Sequence, residues 1–231
     1  MAGGSGSRMG ATVPKQFLLL QGKPVIQHSL ESFLQAFPDI HFIAVLPAAY
    51  LREGTDLLQK MNLGAPLEII TGGDTRFQSV KRGLELVRGD AIIFVHDAVR
   101  CLVTPDLIGR CYDQALVKGN AIPAIEVKDS VRLMRDGKTE VLDRAQLRII
   151  QTPQTFRSEI LLPAFLQEYR HSFTDEATVV ESAGHPVFLI QGEERNIKIT
   201  MPIDMLFAEK ILEHDPLRSQ ENNIPPHFTA T

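Results

Sequence analysis

The sequence predicts a single α/β domain, a mostly parallel central sheet flanked by helices, with a short β-arm protruding from it. Three observations predict this. β-rich runs alternate with amphipathic helical stretches over the first half of the chain, the signature of strands joined by helical crossovers. Residues 91–95 are almost wholly apolar, the pattern of a strand covered on both faces. Polar clusters follow the strands, at the edge where open α/β sheets bind ligands. At 231 residues and 44% hydrophobic, the chain is long enough for such a core.

Taken in order, residues 17–20 read as a short extended segment closed by Gly22. Val25, Ile26, Leu30, Phe33, Leu34 and Phe37 then form a helical stripe that Pro38 ends. A strand over 41–46 stops at Pro47, a polar helix covers 51–61, and a second strand over 67–71 is broken by Gly72-Gly73-Asp74. Phe77, Val80, Leu84 and Val87 give the next helix its buried face, and the apolar strand 91–95 ends in His96-Asp97-Ala98-Val99-Arg100. A helix over 105–118 and a strand over 121–124 continue the alternation. It then breaks: 130–133 and 139–142 are short β-prone pieces joined through Asp136-Gly137, a strong hairpin signal. This arm, 130–143, has too little apolar surface to stand alone, so it is expected to dock on a second subunit.

Residues 147–151 resume as a strand, Ser158 is read as the cap of a helix reaching 169, and Thr174-Asp175-Glu176 opens another helix with acids in its first turn. Strands over 187–190 and 197–200 finish the sheet, and 203–212 form a terminal helix. The domain thus spans 1–212, and the Pro-rich, polar 213–231 is expected to be a disordered tail.

The formal net charge of −4 offers no overall attraction to nucleic acid or anionic membranes, so anion binding must come from a local cluster of cations. No apolar run approaches the roughly 18 residues that span a bilayer, and no apolar stretch marks a signal peptide. A cytoplasmic protein is expected. Cys101 and Cys111 lack the second pair that a zinc site or disulfide framework needs, and are read as reduced, partly buried thiols.

The local cation cluster is at the start, where Gly3, Gly4, Gly6 and Gly10 surround Ser5 and Arg8, with Lys15 following Pro14. Closely spaced glycines free the backbone to turn its N–H groups toward a phosphate. A P-loop is excluded because Ala11-Thr12 follows Gly10, and a dinucleotide fingerprint fails because Met9 stands where its third glycine belongs. An exposed turn with two solvated cations is the alternative. Loops of this kind hang from a buried strand, so the natural chain is expected to begin upstream of Met1.

Four further clusters fall where strands end: Gly72-Gly73-Asp74 with Arg76 and Ser79; His96 to Arg100; Gln151-Thr152-Pro153-Gln154-Thr155; and Asn196-Ile197-Lys198-Ile199-Thr200. Together with the opening loop and Pro14-Lys15-Gln16, with Asp143-Arg144 and Leu147, and with Thr174-Asp175-Glu176-Ala177, they resemble the 2-C-methyl-D-erythritol 4-phosphate cytidylyltransferases. The likeness runs from Ala2 to Leu212. Two positions depart from the family pattern: Cys101 stands for the usual proline, and Ser130 for a threonine whose hydroxyl it keeps.

The resemblance implies a Rossmann-like, glycosyltransferase-A-like fold and transfer of a cytidylyl group from CTP to the sugar phosphate, with Mg²⁺ present and pyrophosphate released. The attacking phosphate oxygen is largely ionised at neutral pH, since its second pKa is about 6, so no general base is needed. Charge on the α-phosphate and the leaving pyrophosphate does need neutralising, which assigns Arg8 and Lys15 as transition-state stabilisers. By motif position, Arg144 and Lys198 complete the catalytic set by gripping the sugar phosphate. Ala2, Gly3, Gly4, Ser5, Gly6, Gly73, Asp74, Ser79 and Ala98 are expected around the nucleotide. Asp97 is expected at the metal or the sugar hydroxyls, and Arg100, Ser130, Thr155, Thr174 and Thr200 at the sugar phosphate. The family also implies a homodimer through the arm, and Arg144 at its base can then serve the partner's site.

Simpler roles stand beside these. Asp97 can cap the segment after Arg100, Asp74 can be a turn residue, and Ser130, Thr155 and Thr174 can be caps; His96 is read as buried and hydrogen-bonded, not catalytic. A ribitol-5-phosphate cytidylyltransferase, toward which Val99 leans, is the nearest rival. A catalytically impaired CTP-binding paralogue is the other.

Overall fold

The computed structural model describes residues 1–2 and 13–215. Gly3, Gly4, Ser5, Gly6 and Arg8 of the expected phosphate loop, and the expected tail beyond 215, lie outside the described residues.

After a 3₁₀ turn at Lys15–Phe17, β1 (Leu19–Leu20) and β2 (Lys23–Pro24) form a miniature hairpin. Its turn residues Gln21 and Gly22 both have positive φ, as the tight two-residue turn requires. There follow α1 (Val25–Ala36), β3 (Phe42–Leu46), α2 (Leu51–Lys60), β4 (Leu67–Thr71), α3 (Arg76–Leu84), β5 (Ile92–Val95) and α4 (Pro105–Lys118). The helix starts have local causes. Thr75 and Gln78 close a capping box on α3, and Thr104 caps α4 ahead of Pro105. The chain continues through β6 (Asn120–Glu126), β7 (Val131–Arg135), β8 (Lys138–Leu142), β9 (Arg148–Ile150), β10 (Gln154–Arg157), α5 (Ser158–Ala164), α6 (Glu176–Ser182), β11 (Leu189–Gln191) and α7 (Pro202–Glu213).

The principal sheet runs β11-β6-β10-β5, with β9 also on β6; β11 is parallel to β6, while β10 runs antiparallel to both its neighbours. β3 and β4 form a separate parallel pair. Helices cover both faces, giving three layers. Phe77, Val80, Leu161, Phe165 and Val180 pack one side, and Phe33, Leu107, Ile108 and Cys111 the other. Burial of each such side chain contributes roughly 1.5–3 kcal/mol.

Met1 and Ala2 lie between β3 and β5. The Met1 amino group donates to the His96 carbonyl at 2.5 Å, the Ala98 N–H to the Met1 carbonyl at 3.0 Å, and the Ala2 N–H to the Val45 carbonyl at 3.0 Å. The two bonds on Met1, to His96 and from Ala98, follow the parallel pattern at the carboxyl end of β5. Toward the strands' amino ends the gap becomes an apolar cavity of about 1040 Å³, lined by Phe33, Phe42, Ala44, Ile93, Phe94 and Leu84 among others. Ile92, Ile93 and Phe94 are therefore only half-buried, where their apolar run predicted cover on both faces.

Other expectations change as well. The helix expected to reach 169 ends at Ala164, beside Pro163, and Ser158 caps nothing in it; its Oγ instead accepts the Ala91 N–H at 3.0 Å, fastening the start of β5. The segment 197–200 forms no ladder, although the Ile199 N–H reaches the Val99 carbonyl at 2.9 Å. Neither β2 nor β10 was suggested by the sequence. Asp136 and Gly137, both at positive φ, turn β7 into β8, forming the hairpin that this pair signalled. Both cysteines are buried, and neither forms a disulfide among the described residues.

Candidate active site

The carboxyl end of β5 carries His96 and Asp97 into the interior. Burial pushes the His96 imidazole down to about 3, so the ring is neutral. Its Nε2 faces the Arg100 carbonyl at 3.2 Å, which can only accept, so Nε2 carries the proton and Nδ1 is the acceptor. The Thr152 hydroxyl donates to that Nδ1 at 3.1 Å while accepting the Asp97 N–H at 3.0 Å. The turn between β9 and β10, with its cis Thr152–Pro153 peptide, thereby holds the backbone of Asp97.

The Asp97 side chain meets two cations. Arg76 Nη2 lies 3.4 Å from Oδ1, and Lys198 Nζ 2.7 Å from Oδ2. Burial alone would raise this carboxyl, but Arg76, then Lys198 and the Met1 amino group, outweigh it and hold the group well below the usual carboxylate range. Arg76 in turn grips the fully buried Glu176 with both terminal nitrogens, one of them at 2.9 Å from Oε2. Burial keeps the Glu176 carboxyl above its ordinary value despite that partner.

The loop before α3 is shaped for close approach. A Cβ on Gly72 would stand 2.7 Å from Ser79 Oγ, and one on Gly73 2.5 Å from Gln78 Cβ, so both positions require glycine. Ser79 Oγ accepts the Gly73 N–H at 3.0 Å, and Asp74 is exposed beyond them. On the other side, the buried Gln16 donates to the Ala2 carbonyl at 2.7 Å, which ties the turn carrying Lys15 to the start of the chain.

A family model described as 2-C-methyl-D-erythritol 4-phosphate cytidylyltransferase matches residues 1–214. The protein of that name from Phocaeicola vulgatus is 41% identical over 212 residues, covering 92% of this chain and 97% of that one. The Bacillus licheniformis protein of the same name is 37% identical over 215 residues, 92% of this chain and 93% of the other. The crystal structure of the cytidylyltransferase from Thermus thermophilus superposes with a TM-score of 0.71 at 30% identity, over 88% of this chain and 96% of that one. The chain belongs to this family.

Among the residues expected from the cytidylyltransferase motifs, the structure brings together Asp97 and Lys198, with Ala98 buried beside Asp97, where its N–H bonds Met1. Ala2 is bonded to Val45 of β3, and Gly73, in the loop before α3, is held by Ser79 of that helix. Lys15 lies near α7, where its charge helps lower the Asp204 carboxyl; there burial acts upward, and the Thr200 and Met201 N–H groups and the Thr200 hydroxyl pull down more strongly. Thr200 gives that hydroxyl to Asp204 at 2.8 Å.

Other expected residues stand elsewhere. Thr155, in β10, has no exposed surface and pairs in register with Phe94 and Ala121, so it packs within the sheet. Arg100 is buried, with its terminal nitrogens on the Asn196 carbonyl at 2.8 Å and the Ile150 carbonyl at 3.3 Å; these bonds fasten the Asn196–Thr200 motif to β9. Arg144 is exposed at the foot of the arm, its Nη1 2.5 Å from the Lys128 carbonyl, and no hydrogen bond or ion pair among the described residues links it to Asp97. Ser130 and Thr174 are exposed. Sequence reasoning gave no role to Arg76 or Thr152, and none to Glu176 beyond an acid in a helix's first turn, although all three lie inside the motifs that carried the resemblance.

Proposed function

We propose that this chain transfers a cytidylyl group from CTP to 2-C-methyl-D-erythritol 4-phosphate. A phosphate oxygen of the sugar attacks the α-phosphorus of CTP, the new P–O bond forms, and the bond to the β-phosphate breaks to release pyrophosphate. Alignment of two anions is the main task, and it is supplied by fixed cations. The observation that carries the reading is the 2.7 Å pair of Lys198 with Asp97, in which two motifs distant in sequence meet at the end of β5.

Lys198 is 43% exposed and suited to pass from Asp97 to an incoming phosphate. Lys15 and Arg8 neutralise the triphosphate in this reading, with Ala2, Gly3, Gly4, Ser5, Gly6, Gly73, Asp74, Ser79 and Ala98 around the nucleotide. Arg144, Ser130, Thr174 and Thr200 contribute to the sugar phosphate, Arg144 across a homodimer formed through the arm. Among the described residues no three His, Cys, Asp or Glu side chains converge as a metal cage. A single ionised carboxylate nonetheless fits Mg²⁺, which is usually held by one or two carboxylates with substrate phosphates and water. Asp97 would hold it, and the ion when bound would neutralise charge on the triphosphate. A cytoplasmic location belongs to the same reading. No helix among the described residues is long and apolar enough to cross a membrane.

The test supplies CTP and Mg²⁺ with either methylerythritol phosphate or ribitol 5-phosphate and follows pyrophosphate. Release with the first supports the reading. Turnover of ribitol phosphate alone, or CTP binding with no release, overturns it.

A further inference from the structure

The guanidinium of Arg76 occupies an unusual place. Arg76 is the first residue of α3, where the positive end of the helix dipole disfavours a cation. Its side chain turns away to Glu176, itself the first residue of α6 and fully buried. Both terminal nitrogens of Arg76 are used on Glu176, and one also reaches Asp97 at 3.4 Å. A pair with one partner fully buried and the other half-buried is weak evidence for stability, because desolvation offsets much of the attraction. A local conflict retained in a fold points to a site.

The two cations on Asp97 are not equivalent. Arg76 is anchored by a second, buried carboxylate, whereas Lys198 is half-exposed and placed to leave. Oδ1 of Asp97 is therefore held and Oδ2 is exchangeable.

We propose that Arg76, aimed by Glu176, is a positioning residue for Asp97: it fixes one carboxylate oxygen so that the other can pass from Lys198 to the substrates. Neither Arg76 nor Glu176 touches the reacting atoms. Glu176 acts through Arg76, and Arg76 through Asp97. The inference rests on the cytidylyl-transfer reading for its activity assay, but the arrangement itself is read from the ion pairs.

The decisive experiment is a double-mutant cycle. Glu176→Gln, close in shape to the native residue, is expected to lower kcat/KM by about 10–100-fold, the usual effect of losing a supporting partner. Arg76→Lys should recover part of what Arg76→Met loses. In an Asp97→Asn background, adding Glu176→Gln should change kcat/KM less than about threefold, since the group it positions is already gone. Losses that multiply in full across the two backgrounds, or Glu176→Gln at the wild-type level, overturn the proposal. Should Glu176→Gln not fold, the paired Arg76→Met/Glu176→Leu replacement removes both charges of that pair together, leaving Asp97 to Lys198 alone, and carries the same comparison.

A calorimetric titration of CTP with Mg²⁺ gives a readout independent of turnover. Affinity should fall about tenfold or more in Glu176→Gln and be insensitive to it in the Asp97→Asn background; unchanged affinity in Glu176→Gln also overturns the proposal. If the wild-type chain binds CTP in this way yet releases no pyrophosphate, the cytidylyl-transfer reading fails while the positioning of Asp97 is still decided by the binding cycle.

Discussion

Replacing Thr152 with Val removes one oxygen and almost no volume, yet it should be among the costlier single changes in the molecule. The Thr152 hydroxyl sits between the Asp97 N–H, which it accepts at 3.0 Å, and His96 Nδ1, to which it donates at 3.1 Å. Thr152, His96 and Asp97 are all buried, so neither partner finds water once the oxygen is gone. Each orphaned buried group costs about 1–3 kcal/mol, and the more apolar valine returns less than it removes. A net loss of about 2–4 kcal/mol is expected from those terms. For a chain of this size that lowers Tm by roughly 5–15 °C. Urea denaturation followed by circular dichroism measures it, with an unchanged m-value showing that the two states themselves are unaltered. Thr152→Ser keeps the oxygen and should recover most of the loss. A Thr152→Val protein within about 0.5 kcal/mol of the wild type, the range of an inconsequential surface change, would refute the bridging role of the hydroxyl.

Three further outcomes are expected. Cys111 is fully buried, and burial pushes its thiol up to about 12, so it should resist aromatic disulfide reagents under mildly alkaline conditions in the native state and react once unfolded; native-state labelling would contradict the packing against Thr155. Met134 and Val141, each 67% exposed, lie on one face of the β7–β8 hairpin, so Met134→Glu with Val141→Glu should convert the proposed dimer to a monomer by light scattering, and an unchanged mass would exclude that face as the contact. An engineered apolar strand of about five residues joined ahead of Met1 should pair with the edges of β3 and β5 that no other strand covers among the described residues, fill the cavity between them, and raise Tm by several degrees; an unchanged Tm would show that the two edges do not accept a parallel strand.

Much of the fold was legible because its elements are locally specified. α4 follows from Thr104 and Pro105 at its start and Gly119, at φ 89°, at its end, and the arm from Asp136-Gly137. β10 was not legible, since Gln154-Thr155-Phe156-Arg157 follows a proline and presents no apolar run; its strand state comes from hydrogen bonds to β5 and β6 on both sides. Ser158 was misread for a related reason. Serine before an apolar stretch looks like a cap, but here its hydroxyl is taken by the N–H of Ala91, just ahead of β5.

The sequence by itself determined the family, the alternation of elements and the clusters that gather at the strand ends, because glycines, turn pairs and motif spacings act locally. Only the tertiary structure decided what each charge does. Arg76, Arg100, Lys198 and Arg144 look alike in a sequence. In the fold, one is gripped by a buried glutamate, one is taken up by two carbonyls, one rests on Asp97, and one stands exposed at the foot of the arm. The role of a cation depends on what desolvates it and which carboxylate or carbonyl faces it, and those neighbours are brought from distant parts of the chain.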